Sequence, residues 1–84
     1  MKTYQVFFSS RGRSDLMELQ RGTGRILLLW IMEYLDHCMD PRVLGRSLNH
    51  MTALRKYNVG RYCILTQIHK DSITILAVTK GQSI

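Results

Sequence analysis

Between Leu54 and Val78 the chain reads LRKYNVGRYCILTQIHKDSITILAV, and this stretch constrains the fold most. Tyr62, Ile64, Thr66 and Ile68 alternate with Cys63, Leu65 and Gln67, the period of two that a pleated strand imposes. Ile73, Ile75 and Ala77 alternate in the same way with Thr74, Leu76 and Val78. β-branched residues are frequent, as a half-buried pleated surface favours. Val59-Gly60-Arg61 and His69-Lys70-Asp71-Ser72 separate three strands, which predicts an antiparallel meander. Such a meander needs cover on one face only, so the other can stay wet and meet a partner. Alternation with Tyr57 and Val59 places Lys56 and Asn58 on that wet face.

The rest of the chain supplies the cover. Thr3 to Phe8 (TYQVFF) reads as a first strand, with Tyr4, Val6 and Phe8 on one face and Phe7 on the other. Ser9-Ser10 offers N-cap chemistry, with Ser14 and Asp15 as alternatives, for a short helix carried by Leu16, Met17 and Leu19 through Gln20. Arg21-Gly22-Thr23-Gly24 is expected to break it, with Thr23 capping the next helix. That second helix is expected from about Arg25 to Cys38, with Leu27, Trp30, Ile31, Tyr34, Leu35 and Cys38 on one stripe. Ile26, Leu28, Leu29 and Met32 widen the apolar surface beyond the stripe, enough for contact with another chain. Asp40-Pro41 is the expected stop. Pro41 to Asn49 is then a connector anchored by Leu44 and Leu48, and His50, Met51, Thr52 and Ala53 lead into the meander.

At 84 residues the chain makes a single domain, 1–84, with no repeat or linker inside it. No signal sequence is expected, since Met1-Lys2-Thr3 leads straight into a strand pattern, and the longest apolar run, Ile26 to Met32, is too short to span a bilayer. Cys38 and Cys63 lack metal-ligand spacing and read as two free thiols, which suits a reducing cytoplasm. Twelve Lys and Arg against six Asp and Glu give a net charge of +6. That excess suits an acidic partner such as nucleic acid, a ribosomal surface or an acidic protein, and a membrane less well. A merely solvated basic surface is the alternative, and edge strands carry Lys to stay soluble, which accounts for Lys70 and Lys80 without any ligand. Arg55, Lys56, Arg61, Lys70 and Lys80 lie in or beside the meander, Arg42 and Arg46 lie just before it, and Tyr57 and Tyr62 interleave. Cations that neutralise phosphates beside rings that stack on bases suit single-stranded RNA. No phosphate-cradling glycine loop, carboxylate pair or zinc motif occurs, and His37, His50 and His69 are scattered. No metal and no cofactor is expected.

The order of strand, two helices, connector and meander resembles the RelE/ParE toxin superfamily of bacterial type II toxin–antitoxin systems. The likeness rests on Pro41-Arg42, Gly45 and Leu48 followed by Val59-Gly60, Tyr62 and Ile64-Leu65, with the ending ILAVTKGQSI. It implies a small α+β domain: an N-terminal strand, two helices, then a three-stranded antiparallel meander, forming one sheet covered on one face by the helices. It implies a toxin neutralised by a cognate antitoxin protein. RelE-type members cleave mRNA on the ribosome, and ParE-type members act on DNA gyrase. By this resemblance Lys56 is a catalytic base or phosphate ligand assisted by Arg61 and Lys80, and Arg55, Lys56, Asn58, Arg61, Cys63 and Lys80 bind RNA. Asn58 and Cys63 stand where the family has basic residues. Its arginine after the last strand falls at Gly81 or Gln82, and its C-terminal tyrosine would fall beyond Ile84. A gyrase inhibitor, or a catalytically weak member that keeps its antitoxin, is therefore the alternative.

Overall fold

The structure is a computed structural model that describes residues 3–48 and 53–81. Strand β1 (Gln5–Phe8) leads into helices α1 (Ser10–Glu18) and α2 (Arg21–Tyr34). A 3-10 turn at Pro41–Val43 and a two-residue strand β2 (Arg46–Ser47) follow, and then the meander β3 (Leu54–Val59), β4 (Tyr62–His69) and β5 (Ser72–Lys80). The five strands form one mixed sheet in the order β1-β5-β4-β3-β2. β1 runs parallel to β5, with Val6 beside Ile73 and Phe8 beside Ile75, and every other pair is antiparallel. The α+β architecture expected from the sequence is therefore present, enlarged by β2. Among the described residues no helix is long and apolar enough to cross a membrane.

Both helices lie on one face of the sheet. Leu27, Ile31 and Leu35 meet Tyr57, Ile64, Ile68, Ile73, Ile75 and Val78 in a single buried cluster. The side chains of β4 that alternate toward the helices are the ones the pattern assigned: Ile64, Thr66 and Ile68 are buried and Tyr62 half-buried. Buried Thr66 satisfies its hydroxyl by donating to Arg55 O at 2.9 Å.

The period of two fails in β5. A bulge opposite Leu65 and Thr66 pairs Leu65 with Ala77 and Thr66 with Ile75. The extra residue, Leu76, shifts every later side chain, so Val78 enters the core and Ala77 faces the other way. The expected grouping of Ala77 with Ile73 and Ile75 is thus corrected. A bulge also misaligns the ladder, and α1 meets the groups involved. Ser9 Oγ lies 3.0 Å from Ile75 O and 3.1 Å from Leu76 O, and Asp15 Oδ2 accepts from Val78 N at 3.0 Å. Ser9 is also the N-cap, its Oγ accepting from Gly12 N at 2.9 Å.

The helix boundaries differ from expectation. Arg21 to Gly24 do not break the chain: they form the first turn of α2, and Thr23 caps nothing. The reversal falls at Leu19, which is extended, and at Gln20, the N-cap position of α2, and α1 ends at Glu18 rather than Gln20. Glycine at position 24 serves close approach, since a Cβ there would come 3.2 Å from Leu16 O. Met17 is 76% exposed and does not help carry α1. α2 stops at Tyr34, not Cys38, because His37 turns into the left-handed region at φ 63°. The turn then meets β1: His37 N donates to Tyr4 O at 2.7 Å, Tyr4 N to Cys38 O at 2.9 Å, and Val6 N to Asp36 Oδ1 at 3.2 Å.

In the connector the anchor is buried Pro41, whereas Leu44 and Leu48 are exposed. Gly45, at φ 69°, lies against Tyr57, whose ring carbon Cδ1 would be 2.6 Å from a Cβ. His50 and the lead-in at 50–52 lie outside the described residues, as do 82–84.

Candidate functional site

The face of the sheet opposite the helices carries the side chains that alternate with the core. Strand register arranges them in rows. Arg46, Lys56, Leu65 and Ala77 lie side by side across β2, β3, β4 and β5. Asn58, Cys63 and Thr79 form the next row, and Leu54, Gln67, Thr74 and Phe7 the row on the other side. Directly paired residues hold their Cβ atoms about 5 Å apart, and rows are spaced by roughly 7 Å, two residues of rise. No acidic residue stands in these rows. The Lys56 ammonium group makes no hydrogen bond or ion pair with any described residue. Arg46 and Lys56 thus lie side by side on adjacent strands, a spacing within the reach of one phosphodiester group.

Within the second row the Cys63 thiol donates to Asn58 Oδ1 at 3.1 Å. Gly81 lies beside them: its N–H donates to Arg61 O at 2.9 Å, and a Cβ at Gly81 would come 2.8 Å from Cys63 Sγ. Three positions that the resemblance marks as basic, Asn58, Cys63 and Gly81, are thus neighbours at one end of the sheet, and all three are uncharged.

The remaining candidates do not share this face. Arg55 alternates to the helix side and its guanidinium grips the connector, donating to Leu44 O at 2.8 Å, Arg42 O at 2.7 Å and Gly45 O at 3.1 Å. Its donors are used in holding chain segments together. Arg61 is at the β3–β4 turn, where it lines an apolar groove of about 330 Å³ with Thr23, Ile26, Leu27, Val59 and Tyr62. Lys80 pairs with Tyr62, on the helix side of the sheet end. Lys56 therefore shares the open face with Asn58 and Cys63, but not with Arg61 or Lys80.

The tyrosines expected to stack on bases are elsewhere too. Tyr57 is 1% exposed, with its ring centroid 5.9 Å from that of Trp30. Its hydroxyl donates to Pro41 O at 2.6 Å, and burial pushes its pKa up to about 12. Tyr62 is half-buried on the same side. Sequence reasoning had Arg46 only as one of several connector cations; its place beside Lys56 depends on a two-residue strand with no periodicity of its own.

No family model matches the chain, and no curated protein matches it in sequence. Solved structures do match its backbone. The RelBE2 toxin–antitoxin complex of Mycobacterium tuberculosis superposes with a TM-score of 0.77 at 23% identity, over 96% of this chain and 94% of that one. Toxin RelE of E. coli, solved as a mutant with an antitoxin peptide, gives 0.70 at 19% identity, over 96% and 86%. A chain of the ParDE system of P. aeruginosa gives 0.61 at 6% identity, over 95% and 98%. Identities this low establish the fold: the chain has the RelE/ParE toxin fold over nearly its whole length.

Proposed function

We propose that the chain is the toxin of a toxin–antitoxin pair: a RelE-type protein that acts on mRNA at the ribosome in the cytoplasm and is held inactive by a cognate antitoxin. The observation that carries this reading is the Arg46–Lys56 pair on the sheet face opposite the helices, within a fold shared over nearly its full length with RelE. Cleavage of this kind needs the ribose 2′-OH activated and charge on the scissile phosphate stabilised. In the proposed complex Lys56 has one of two roles: as the ammonium it clamps that phosphate with Arg46, or as the neutral amine it accepts the 2′-OH proton. Arg61, at the sheet end, contacts flanking backbone. Expressing the chain alone and mapping mRNA 5′ ends tests the reading. New ribosome-dependent ends that vanish when the antitoxin is co-expressed support it, and unchanged growth with no new ends removes it.

A second reading is favoured by the uncharged group Asn58, Cys63 and Gly81. A face without those cations suits a catalytically weak member that retains its antitoxin, or a ParE-like inhibitor of DNA gyrase. Supercoiling by purified gyrase separates these: inhibition by the protein supports the ParE-like form, and full activity leaves the weak RelE-type form.

A further inference from the structure

We propose that the outer face of α2 is a self-association surface, on which a second copy of this chain packs antiparallel about a two-fold axis at Leu29. Ile26, Leu29 and Met32 follow one another along this helix and are 63%, 57% and 55% exposed. They flank, and do not belong to, the buried stripe of Leu27, Ile31 and Leu35. Single exposed apolar residues are ordinary, but a contiguous row marks a contact surface.

The occupant follows from the charges that bracket the row. Arg25 and Glu33 are both exposed, and neither forms an ion pair with another described residue. Eight residues of helix separate them, about 12 Å along the axis, so they cannot meet within one chain. Each lies four residues from Leu29, on opposite sides, while Ile26 and Met32 each lie three away. In an antiparallel pair centred on Leu29, Arg25 therefore meets the second copy's Glu33, twice over. Ile26 meets Met32, also twice, and Leu29 meets itself. This is the self-complementarity a two-fold interface requires. A parallel pair would oppose Arg25 to Arg25 and Glu33 to Glu33. Antiparallel helices also place their opposite dipole ends together. The surface is remote from the row of Arg46 and Lys56, so the inference does not rest on the proposed function. One helix pair buries less than the roughly 1,200–2,000 Å² of a standard interface, so the dimer is weak and concentration-dependent.

Sedimentation equilibrium of the full chain, from low micromolar to near-millimolar concentration, tests this. The expected result is a monomer–dimer equilibrium that Leu29→Asp abolishes. Arg25→Glu and Glu33→Arg should each weaken the dimer roughly tenfold, since either change places like charges at two contacts. The double variant Arg25→Glu/Glu33→Arg should regain most of the wild-type affinity. Circular dichroism of each variant verifies the fold. In a Cys38→Ser/Cys63→Ser background, Leu29→Cys should form a disulfide-linked dimer on mild oxidation, and Met17→Cys, on α1, should not. A wild-type chain that stays monomeric throughout overturns the proposal. So does a dimer indifferent to Leu29→Asp, a double variant no better than the single ones, or a face shielded only when an antitoxin is added.

Discussion

Tyr57 donates its hydroxyl to the carbonyl of Pro41 across 2.6 Å and, with the Arg55 guanidinium, pins the connector to the sheet on the helix side. Trp30 borders the ring on one side, and the absent side chain of Gly45 leaves space for it on another. The connector is held here so that β2 can pair with β3, and β2 is what carries Arg46 to Lys56. A residue of the core thus positions a residue of the open face.

The first prediction concerns this phenol. Its pKa is raised from 10 to about 12 by burial, against smaller opposing effects of Arg55 and Arg42. The folded state therefore holds the proton more tightly than the unfolded chain. The associated stability is fully present below pH 10 and is lost as pH rises from about 10 to about 12. Ultraviolet titration should show one tyrosine ionising near 12, coincident with loss of near-ultraviolet circular dichroism. In Tyr57→Phe that late step should be absent, and the variant should lose about 1–3 kcal/mol because Pro41 O is left without its donor.

Gly12 should not tolerate a methyl group. An exposed helical glycine usually gains up to about 1 kcal/mol on replacement by alanine. Here the added Cβ would collide with the backbone carbonyl of Ile75, a partner that cannot rotate away. Gly12→Ala should therefore destabilise by about 1–3 kcal/mol, read from the denaturant midpoint. Ser9→Ala should cost about 1–2 kcal/mol, since it removes the cap and leaves the β5 bulge less well bonded.

Lys56→Ala should reduce RNA binding and toxicity while changing stability by less than about 0.5 kcal/mol, as no described residue depends on its ammonium group. Loss of one phosphate contact should also make the salt dependence of RNA binding shallower by roughly 0.7 in log–log slope. Arg46→Ala should have a similar effect on the slope. An unchanged slope and unchanged toxicity in Lys56→Ala would reduce this residue to a solvated charge.

Cys63→Arg restores a cation beside Asn58 and Gly81, on the face that carries Lys56. If the uncharged sheet end limits catalysis, mRNA cleavage in cells should rise over the wild type. An inert Cys63→Arg protein would favour the reading in which this face binds but does not cut.

The alternation of Tyr62 to Ile68 specified which β4 side chains face the helices, because a strand sends every second side chain to the same face; His69, read as a turn residue, ends the strand. The same local logic found the three-strand meander, the wet position of Lys56 and Asn58, the Ser9 cap and the core stripe of Leu27 and Ile31. It placed Lys80 with Lys56 because it had no means of orienting the last strand beyond Leu76. It gave Arg55 to the ligand because a guanidinium gripping three carbonyls looks, in sequence, like any other cation. It broke the chain at Gly22 and Gly24, although both lie in the first turn of α2 and Gly24 serves close approach to α1 and not reversal. Only the tertiary structure decided the parallel pairing of β1 with β5, the bulge that sends Val78 inward, and the two-residue strand that brings Arg46 beside Lys56. The first two depend on hydrogen bonds between segments up to 67 residues apart, from Ser9 and Asp15 to β5. A periodic pattern reports which face of an element is apolar; which groups meet across elements is set by how those faces close on one another.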